Sequence, residues 1–254
     1  MKAGFFQSDT RTSNPLERLA RLDAALAAQP LDLVVCPELF LSGFGIAENV
    51  KKYAEPEDGP FAEAMAEVAA RNAVSIVYGY PELADGAIYN SALCIAPSGK
   101  HLGNHRKRLF PSDYERDLFV AGDDKTIFTL DSGVTVGLLV CYEIEFPEAA
   151  RACARAGADI IVAPTACGID WSIVSRKMVP IRAMENGVFV IYSNHVGREG
   201  ELDYLGDSCV ISPMGEDLAR AGREEELHDV ELDMTIMEKA RKRLPYLDDH
   251  HEFL

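Results

Sequence analysis

Cys141 is the first candidate for chemistry in this sequence. It follows the apolar run 136–140 and precedes Pro147, so it is expected where a buried strand gives way to a helix. A thiol at such a strand end can lie in a cleft near backbone N–H groups, with its pKa lowered enough to act as a nucleophile. An isolated cysteine in an apolar strand is more often a core residue, because free cysteines are among the most buried residue types. Cys141 therefore needs partners before it can be assigned to catalysis.

A carboxylate that could act as a base follows a second apolar run. Glu38 comes directly after residues 34–37, at the end of another predicted strand. A carboxylate beside apolar walls has a raised pKa, which a general base working near neutral pH requires. A helix cap or a surface acid after a turn would show the same spacing, so both interpretations remain open from spacing alone.

A cation that could stabilise an oxyanion lies in the basic segment HRKRLF. Such a run is typical of a solvated loop or a phosphate site, but Leu109 and Phe110 follow Lys107 directly and indicate partial burial. A lysine held near a carboxylate could stay charged and stabilise an oxyanion. Glu115, eight residues further on, is a candidate for that carboxylate, or simply another surface acid.

The elements around these residues alternate between strands and helices. Apolar runs predict strands over 2–8, 31–36, 74–79, 91–96 and 136–140. Asn14 as cap and Pro15 in the first turn predict a helix over 14–28, and Gly59 and Pro60 open a second helix that reaches residue 71. Apolar positions with helical spacing in the first helix are Leu16, Leu19, Leu22 and Leu26. The segment 100–122 shows no clear periodicity.

The second half of the chain repeats the order of the first. LDLVVCPE (31–38) matches ADIIVAPT (158–165), RNAVSIVYGY (71–80) matches ENGVFVIYSN (185–194), and NSALCIAPSGK (90–100) matches DSCVISPMGE (207–216). The same alignment places the strand before Cys141 opposite the N-terminal strand, and Glu38 opposite Thr165. Strands this apolar need cover on both faces, so we expect an α/β sandwich of two related halves. Equivalent strand ends should meet at one edge, where ligands of α/β proteins commonly bind.

Composition restricts the class of protein. The 254 residues suit one large α/β domain or two small ones, and the net charge of −16 argues against nucleic acid or an anionic membrane surface as partner. No apolar run approaches the roughly 20 residues of a membrane span. The six cysteines lack metal-type spacing and lie in apolar contexts, which favours reduced thiols and a cytoplasmic location.

Three segments resemble the catalytic motifs of the nitrilase (carbon–nitrogen hydrolase) superfamily, in that family's order and at similar intervals. They are PELFLSGF around Glu38, HRKRLFPSDYERDLFVAGD around Lys107 and LLVCYEIEFPEAAR around Cys141. The segments 164–168, 179–194, 205–216 and 243–247 resemble later parts of that family, so the resemblance covers nearly the whole chain.

The resemblance implies a role for each residue. Cys141 would be the nucleophile, Glu38 the general base and Lys107 the oxyanion-stabilising cation, and Glu115 would contact the lysine and the substrate. The backbone N–H of Tyr142 would assist Lys107. Because a carboxylate serves as base, none of the six histidines would be required.

The resemblance also implies a fold and partners. The expected fold is an αββα sandwich of two mixed sheets flanked by helices with internal pseudo-duplication, formed by a single domain over residues 1–254. No cofactor or metal is implied. The expected partners are a small amide substrate, water and further copies of the chain, as a homodimer or a larger homo-oligomer.

The substrate is less restricted than the chemistry. At 254 residues the chain is closer to the compact amidase branches than to longer nitrilases. Glu145, if it reaches the pocket, would repel a carboxylate and favour neutral or amino-bearing amides; otherwise it is a surface acid. Trp171 would line the acyl pocket or close the core. Further candidates for substrate binding are Tyr114, Tyr142, Cys167 and Asn194.

Other functions stay open. The same catalytic residues would serve a nitrilase or an N-carbamoyl amine amidohydrolase. A binding protein that has lost catalysis would not need Glu38, Lys107 and Cys141 together. A thiol-redox protein would need a resolving cysteine near Cys141, and the sequence has no CxxC motif.

Overall fold

The computed structural model describes residues 1–11 and 14–249. The strands are β1 (Lys2–Gln7), β2 (Leu33–Val35), β3 (Ser75–Ala84), β4 (Ala87–Ile95), β5 (His101–Arg106), β6 (Thr126–Thr129), β7 (Thr135–Leu138), β8 (Ile160–Pro164), β9 (Phe189–Ser193), β10 (Val196–Glu199), β11 (Leu202–Leu205), β12 (Cys209–Ile211), β13 (Asp217–Arg220) and β14 (Glu226–Glu231). The α-helices are α1 (Pro15–Ala28), α2 (Ala47–Tyr53), α3 (Pro60–Asn72), α4 (Asp113–Leu118), α5 (Pro147–Arg155), α6 (Val179–Asn186), α7 (Thr235–Arg243) and α8 (Tyr246–Asp249). Short 3₁₀ segments cover Cys141–Glu145 and Ile169–Trp171, and one π-helical turn covers Val174–Met178.

Two six-stranded mixed sheets carry the predicted duplication. One has the order β14-β1-β2-β3-β4-β5 and the other β6-β7-β8-β9-β12-β13. In both sheets the second, third and fourth strands run parallel, and the remaining neighbours pair antiparallel. Each strand of one sheet therefore has a counterpart at the same position and in the same orientation in the other sheet, as the sequence repeat predicts. The predicted αββα sandwich with internal pseudo-duplication is confirmed.

Alternating side chains divide the core into layers. Phe5, Val35, Val136 and Ile160 belong to a cluster shared by the two sheets. Side chains on the opposite faces pack against helices instead, in one cluster that includes α1 and α3 and another that includes α5 and α6. Each sheet therefore has apolar cover on both faces, which explains why its central strands are nearly continuous apolar runs.

The sequence placed the central elements well and the peripheral ones less well. The segment 100–122 contains β5 and α4, which its mixed polar and aromatic composition concealed, and β6 was also missed. Asn14 caps α1 as predicted, with its Oδ1 accepting from the Leu16 N–H at 3.0 Å. Leu16 itself is 64 % exposed, because the buried face of α1 carries Leu19, Leu22 and Leu26 together with Arg18.

Further predictions concern the extent of the domain, the state of the cysteines and membrane-spanning segments. The predicted single domain includes residues 12, 13 and 250–254, which lie outside the described residues, and it stays a prediction. All six cysteines carry free thiols. Within the described part of the chain, no helix is both long enough and apolar enough to span a membrane.

Candidate active site

Cys141 lies at the end of β7, where the chain turns sharply. It is the first residue of the 3₁₀ segment Cys141–Glu145, and its φ of +49° is uncommon for a residue with a side chain. Pro147 then begins α5, as predicted. Cys141 is partly exposed as a residue, while its neighbour Val140 is buried. Cys141 therefore lies just beyond the sheet, at the edge where β2 and β8 also end.

Glu38 follows β2 and its side chain is fully buried. Its Oε1 accepts hydrogen bonds from Asn90 Nδ2 and Lys107 Nζ, each at 2.7 Å. Its Oε2 has no hydrogen-bond partner within the described residues. Since one oxygen is fixed by two donors, the other is held in place and remains available to receive a proton.

The backbone of Glu38 is fixed from both halves of the molecule. Its N–H donates to the carbonyl of Thr165, its counterpart in the repeat, at 3.3 Å. Its carbonyl accepts from His195 Nε2 at 2.7 Å. Burial, with the nearby charge of Arg18, lowers the pKa of His195 to about 3, so the ring is neutral and Nε2 carries its proton.

Lys107 lies just past β5, between two carboxylates. Its Nζ is 2.7 Å from Glu38 Oε1 and 2.5 Å from Glu115 Oε1, and all three side chains are buried. Burial alone would lower the pKa of Lys107, but Glu38, Cys141 and Glu115 together outweigh it and raise that pKa. Lys107 is therefore a fixed cation.

Glu115 reaches Lys107 from the first turn of α4. Ser112 caps that helix, accepting from the Glu115 N–H at 3.2 Å and donating to Glu115 Oε2 at 3.3 Å. Burial raises the pKa of Glu115 and the charge of Glu38 adds to the rise, while Lys107 opposes both. Glu115 is therefore the carboxylate partner of Lys107 and not a surface acid.

The thiol of Cys141 has a raised pKa, not the lowered one expected from its place at a strand end. Burial is the largest cause and the charge of Glu38 the second, and Lys107 offsets them only in part. The predicted lowering of the pKa is not seen, because desolvation and the charge of Glu38 outweigh the charge of Lys107. The resting thiol keeps its proton at neutral pH, so a nucleophilic attack needs a base.

A second cysteine, Cys167, lies close enough to Cys141 to raise the pKa of its thiol. Cys167 is partly exposed, and burial raises its pKa to about 11, with the charges of Glu145 and Glu38 adding to the rise. Burial also raises the pKa of Glu145, and the charges of Lys107 and Arg182 oppose that rise. Both side chains are therefore within electrostatic range of the Glu38–Lys107 cluster.

Asn194 supports the Cys167 loop instead of presenting its amide to a ligand. Its Oδ1 accepts from the N–H groups of Cys167 at 2.8 Å and His195 at 2.9 Å. Its Nδ2 donates to the carbonyls of Cys167 at 3.1 Å and Gly206 at 2.9 Å. Because these bonds occupy the amide and the side chain is fully buried, the predicted substrate contact becomes a positioning role.

The aromatic candidates occupy different places. Tyr114 donates its hydroxyl to the Phe44 carbonyl at 2.7 Å and packs against the Phe44 ring, with a centroid distance of 5.7 Å. Tyr142 is partly exposed and meets Phe146 edge-on at 4.9 Å. Trp171 is 62 % exposed, so the alternative in which it closes the core is wrong.

Two buried residues beside the site were not singled out from the sequence. Glu143, two residues after Cys141, lies 2.9 Å from His105, two residues before Lys107. Their place in the same two motifs as Cys141 and Lys107 was the available signal. Among residues 1–11 and 14–249, no group of three or more His, Cys, Asp or Glu side chains could hold a metal ion.

The chain matches a known family over most of its length. The family model described as Carbon-nitrogen hydrolase matches residues 3–242. An (R)-stereoselective amidase from a Pseudomonas species is 35 % identical over 257 residues, which cover 100 % of this chain and 93 % of the relative.

Solved structures show the same fold. Nit3 of Saccharomyces cerevisiae, a member of branch 10 of the nitrilase superfamily, matches with a TM-score of 0.89 at 26 % identity over 96 % of this chain and 94 % of its own. An amidase from Nesterenkonia sp. AN1 matches with a TM-score of 0.84 at 28 % identity over 100 % of this chain and 97 % of its own. In that amidase, a glutamate-to-leucine variant carries the acetamide moiety of fluoroacetamide covalently on the active-site cysteine.

Proposed function

Because this chain belongs to the carbon–nitrogen hydrolase family, we propose that it is an amidase that converts a small carboxylic acid amide to the acid and ammonia. The observation that carries the proposal is the buried Glu38–Lys107–Glu115 cluster beside Cys141, with Glu38 Oε2 free of hydrogen bonds from the described residues. This arrangement supplies a base, a fixed cation and a nucleophile at one strand edge.

The first half-reaction acylates the thiol. Cys141 Sγ bonds to the amide carbonyl carbon while its proton passes to Glu38 Oε2, since the raised pKa of the thiol rules out a standing thiolate. The carbonyl π electrons move to oxygen, where Lys107 stabilises the negative charge, assisted by the Tyr142 N–H. The C–N bond then breaks, and the leaving nitrogen takes the proton from Glu38 as ammonia departs.

The second half-reaction releases the acid. Water attacks the thioester carbonyl and gives a proton to Glu38, and collapse of the intermediate breaks the C–S bond. The sulfur takes the proton back from Glu38, which restores the resting site. Glu115 keeps Lys107 in place through both steps, because its ion pair with Lys107 remains while Glu38 carries the proton.

Ammonia release from a panel of amides, nitriles and N-carbamoyl amines tests this function. We expect release from at least one amide by the wild type and none above background by Cys141→Ala. Cys94→Ala, which removes a fully buried thiol from the other sheet, is the matched control and should keep the activity. Release that persists in Cys141→Ala would contradict the mechanism.

The substrate class that we propose is a neutral or amino-bearing amide. Glu145 supports it, because this carboxylate lies within electrostatic range of Lys107 and Cys167. Its backbone is fixed, since the Glu145 carbonyl accepts from Arg182 Nη2 at 2.6 Å. A second negative charge on the substrate would be repelled there.

Glu145→Arg tests the substrate class. The variant should shift the ratio of kcat/KM for carboxylate-bearing over amino-bearing amides upward by about tenfold, the effect of roughly 1.4 kcal/mol. Glu148→Gln removes an exposed acid three residues further on and should leave the ratio unchanged. An unchanged ratio in Glu145→Arg would exclude Glu145 from substrate selection.

We also propose that the chain pairs with a second copy. Four large apolar side chains are exposed along residues 171–184. Trp171 (62 %) and Ile173 (59 %) follow the Cys167 loop, and Ile181 (52 %) and Met184 (39 %) lie in α6. Exposed apolar side chains grouped in this way are typical of an interface. Light scattering on the purified protein should give twice the chain mass of 27.9 kDa or a higher multiple, and the chain mass itself would contradict pairing.

A further inference from the structure

One buried carboxylate contacts the chain neighbours of both the nucleophile and the cation. Glu143 Oε2 accepts from the N–H of Val140, which precedes Cys141, at 2.7 Å. Glu143 Oε1 accepts from the N–H of Arg108, which follows Lys107, at 3.0 Å. Through this side chain the turn after β7 and the segment after β5 are joined by two short bonds.

His105 completes the surroundings of Glu143. Its Nε2 lies 2.9 Å from Glu143 Oε2 and its Nδ1 lies 3.2 Å from Thr126 Oγ1. Thr126 gives its only hydroxyl proton to the Asn104 carbonyl at 3.1 Å, so its oxygen is left to accept from Nδ1. The ring of His105 therefore lies between Glu143 and Thr126 and holds the carboxylate from the side of β5.

The turn that Glu143 holds is conformationally demanding. Cys141 adopts φ +49°, a conformation that costs a residue with a side chain roughly 1 kcal/mol and persists only where surrounding contacts impose it. The N–H of Glu143 also donates to the Val140 carbonyl at 3.2 Å, so the residue closes the turn through its backbone as well as through its side chain.

We propose that Glu143, held by His105, is a positioning residue that sets the placement of Cys141 relative to Lys107. Neither side chain touches the reacting atoms in this role. A carboxylate suits the role because its two oxygens accept from both loops at once and from His105. An amide of the same shape offers one oxygen and an NH₂ group, so at least one of the three donors would face another donor.

The pair can be reached from outside the catalytic centre. A cavity of about 560 Å³ is lined by His105 and Glu143 together with Arg108, Leu139 and residues of α5. Truncation of His105 would enlarge this cavity by the volume of an imidazole ring. Free imidazole could then occupy the lost position and donate to Glu143 again.

Glu143→Gln and His105→Ala test the proposal, which rests on the proposed amidase chemistry. Misplacement of reacting groups lowers the turnover number, so Glu143→Gln should lower kcat about 10- to 100-fold and change KM less than about threefold. Iodoacetamide provides a readout that does not require an identified substrate. It forms an S–C bond at Cys141 as iodide leaves and the thiol proton passes to Glu38, and this rate should fall about tenfold.

The controls separate positioning from folding. Glu82→Gln removes another buried carboxylate, which pairs with Arg106 and not with the turn, and it should change both rates less than about twofold. Labelling of Cys167, the other partly exposed thiol, should keep its rate in every variant. For His105→Ala, added imidazole should restore part of the lost Cys141 labelling rate.

The outcomes are distinguishable. Wild type that releases no ammonia from any amide would overturn the proposed function, and the iodoacetamide rates would still decide the positioning role. Glu143→Gln with wild-type kcat and labelling rate per folded molecule would overturn the positioning role. Should that variant fail to fold, His105→Ala decides: imidazole rescue supports positioning, and a labelling rate equal to wild type without imidazole refutes it.

Discussion

The two halves of the molecule share a topology but place different residues at the same strand ends. Leu33 and Ile160 are equivalent in the repeat, and they pair in register with Ala3 and Val136 respectively. Five residues beyond each of these partners lie Ser8 in the first half and Cys141 in the second. Ser8 is fully buried, and the chain continues past it into hydrogen bonds with Val196. Cys141 instead begins a 3₁₀ turn and is a partly exposed residue.

The neighbouring strand shows the reverse. Glu38 ends β2 with a buried carboxylate that accepts from Asn90 and Lys107, whereas its counterpart Thr165 ends β8 and donates its hydroxyl to the Ala163 carbonyl at 3.0 Å. Each half therefore contributes one reactive end and one unreactive end. The fold thus supplies equivalent positions in the two halves. The turn that follows a strand and the hydrogen-bond partners near its end determine which of these positions carries a catalytic residue.

Glu38→Gln, at the reactive end of the first half, is expected to have the largest effect on activity. It removes the proton acceptor while keeping the side-chain shape, and it deprives Lys107 of one carboxylate. We expect kcat for amide hydrolysis to fall by at least about 10³-fold, at the level typical of losing a general base. Steady-state ammonia release checks it.

Thr165→Val is the matched control for Glu38→Gln, because it changes the equivalent position of the other half. Among the described residues its hydroxyl bonds only to the nearby Ala163 carbonyl, so activity should stay within about twofold of wild type. Equal losses in the two variants would contradict the division into a reactive and an unreactive end.

Lys107→Met comes second, with an effect on stability as well as on activity. The variant leaves two buried carboxylates without their cation, which should lower the free energy of unfolding by about 3–5 kcal/mol near neutral pH. Burial already raises the pKa of Glu115, and loss of Lys107 raises it further. An acid whose pKa is raised on folding loses stability as pH rises through that pKa, so the deficit should be larger at pH 8 than at pH 5.

Urea unfolding at the two pH values measures that deficit. Lys2→Met is the control, because Lys2 forms a surface ion pair with Asp229 at 3.2 Å and should contribute at most about 1 kcal/mol. A deficit in Lys107→Met that is equal at pH 5 and pH 8 would show that the carboxylates are not what the lysine stabilises.

Ser8→Cys is expected to have the smallest effect on activity. It tests the comparison between Ser8 and Cys141 most closely. It places a thiol at the strand end equivalent to Cys141, but without the turn that exposes it. In the Cys141→Ala background we expect no ammonia release, and the introduced thiol should not react with iodoacetamide in the folded protein. Peptide mass spectrometry reads the labelling; recovered activity would mean that the strand position alone creates the nucleophile.

The sequence predicted the parts of the molecule that depend on strong local patterns. Apolar runs located the central strands, Asn14 and Pro15 located the start of α1, Pro147 located the start of α5, and the repeat predicted two related sheets. The motifs also identified Glu38, Lys107 and Glu115 as parts of one catalytic site. Each of these depends on residue type and spacing, which the sequence shows directly.

The sequence did not predict features that depend on contacts between distant segments. The raised pKa of Cys141 follows from burial and from Glu38, about a hundred positions away in the chain. Asn194 was predicted to contact substrate, yet its amide is occupied by backbone groups from two loops. Glu143 and His105 lie in quoted motifs, but only the packing of β5 against the turn after β7 makes them a pair. Such pairings depend on tertiary structure, so no local pattern reveals them.

Partition of the acyl group between water and hydroxylamine tests most directly the claim that Cys141 carries a thioester. Two amides with the same acyl group and different leaving amines are hydrolysed in the presence of hydroxylamine, and acid and hydroxamate are measured. A shared thioester predicts the same ratio of hydroxamate to acid from both amides, because the leaving amine has departed before the second nucleophile reacts. A ratio that changes with the leaving amine would contradict a common acyl-enzyme on Cys141.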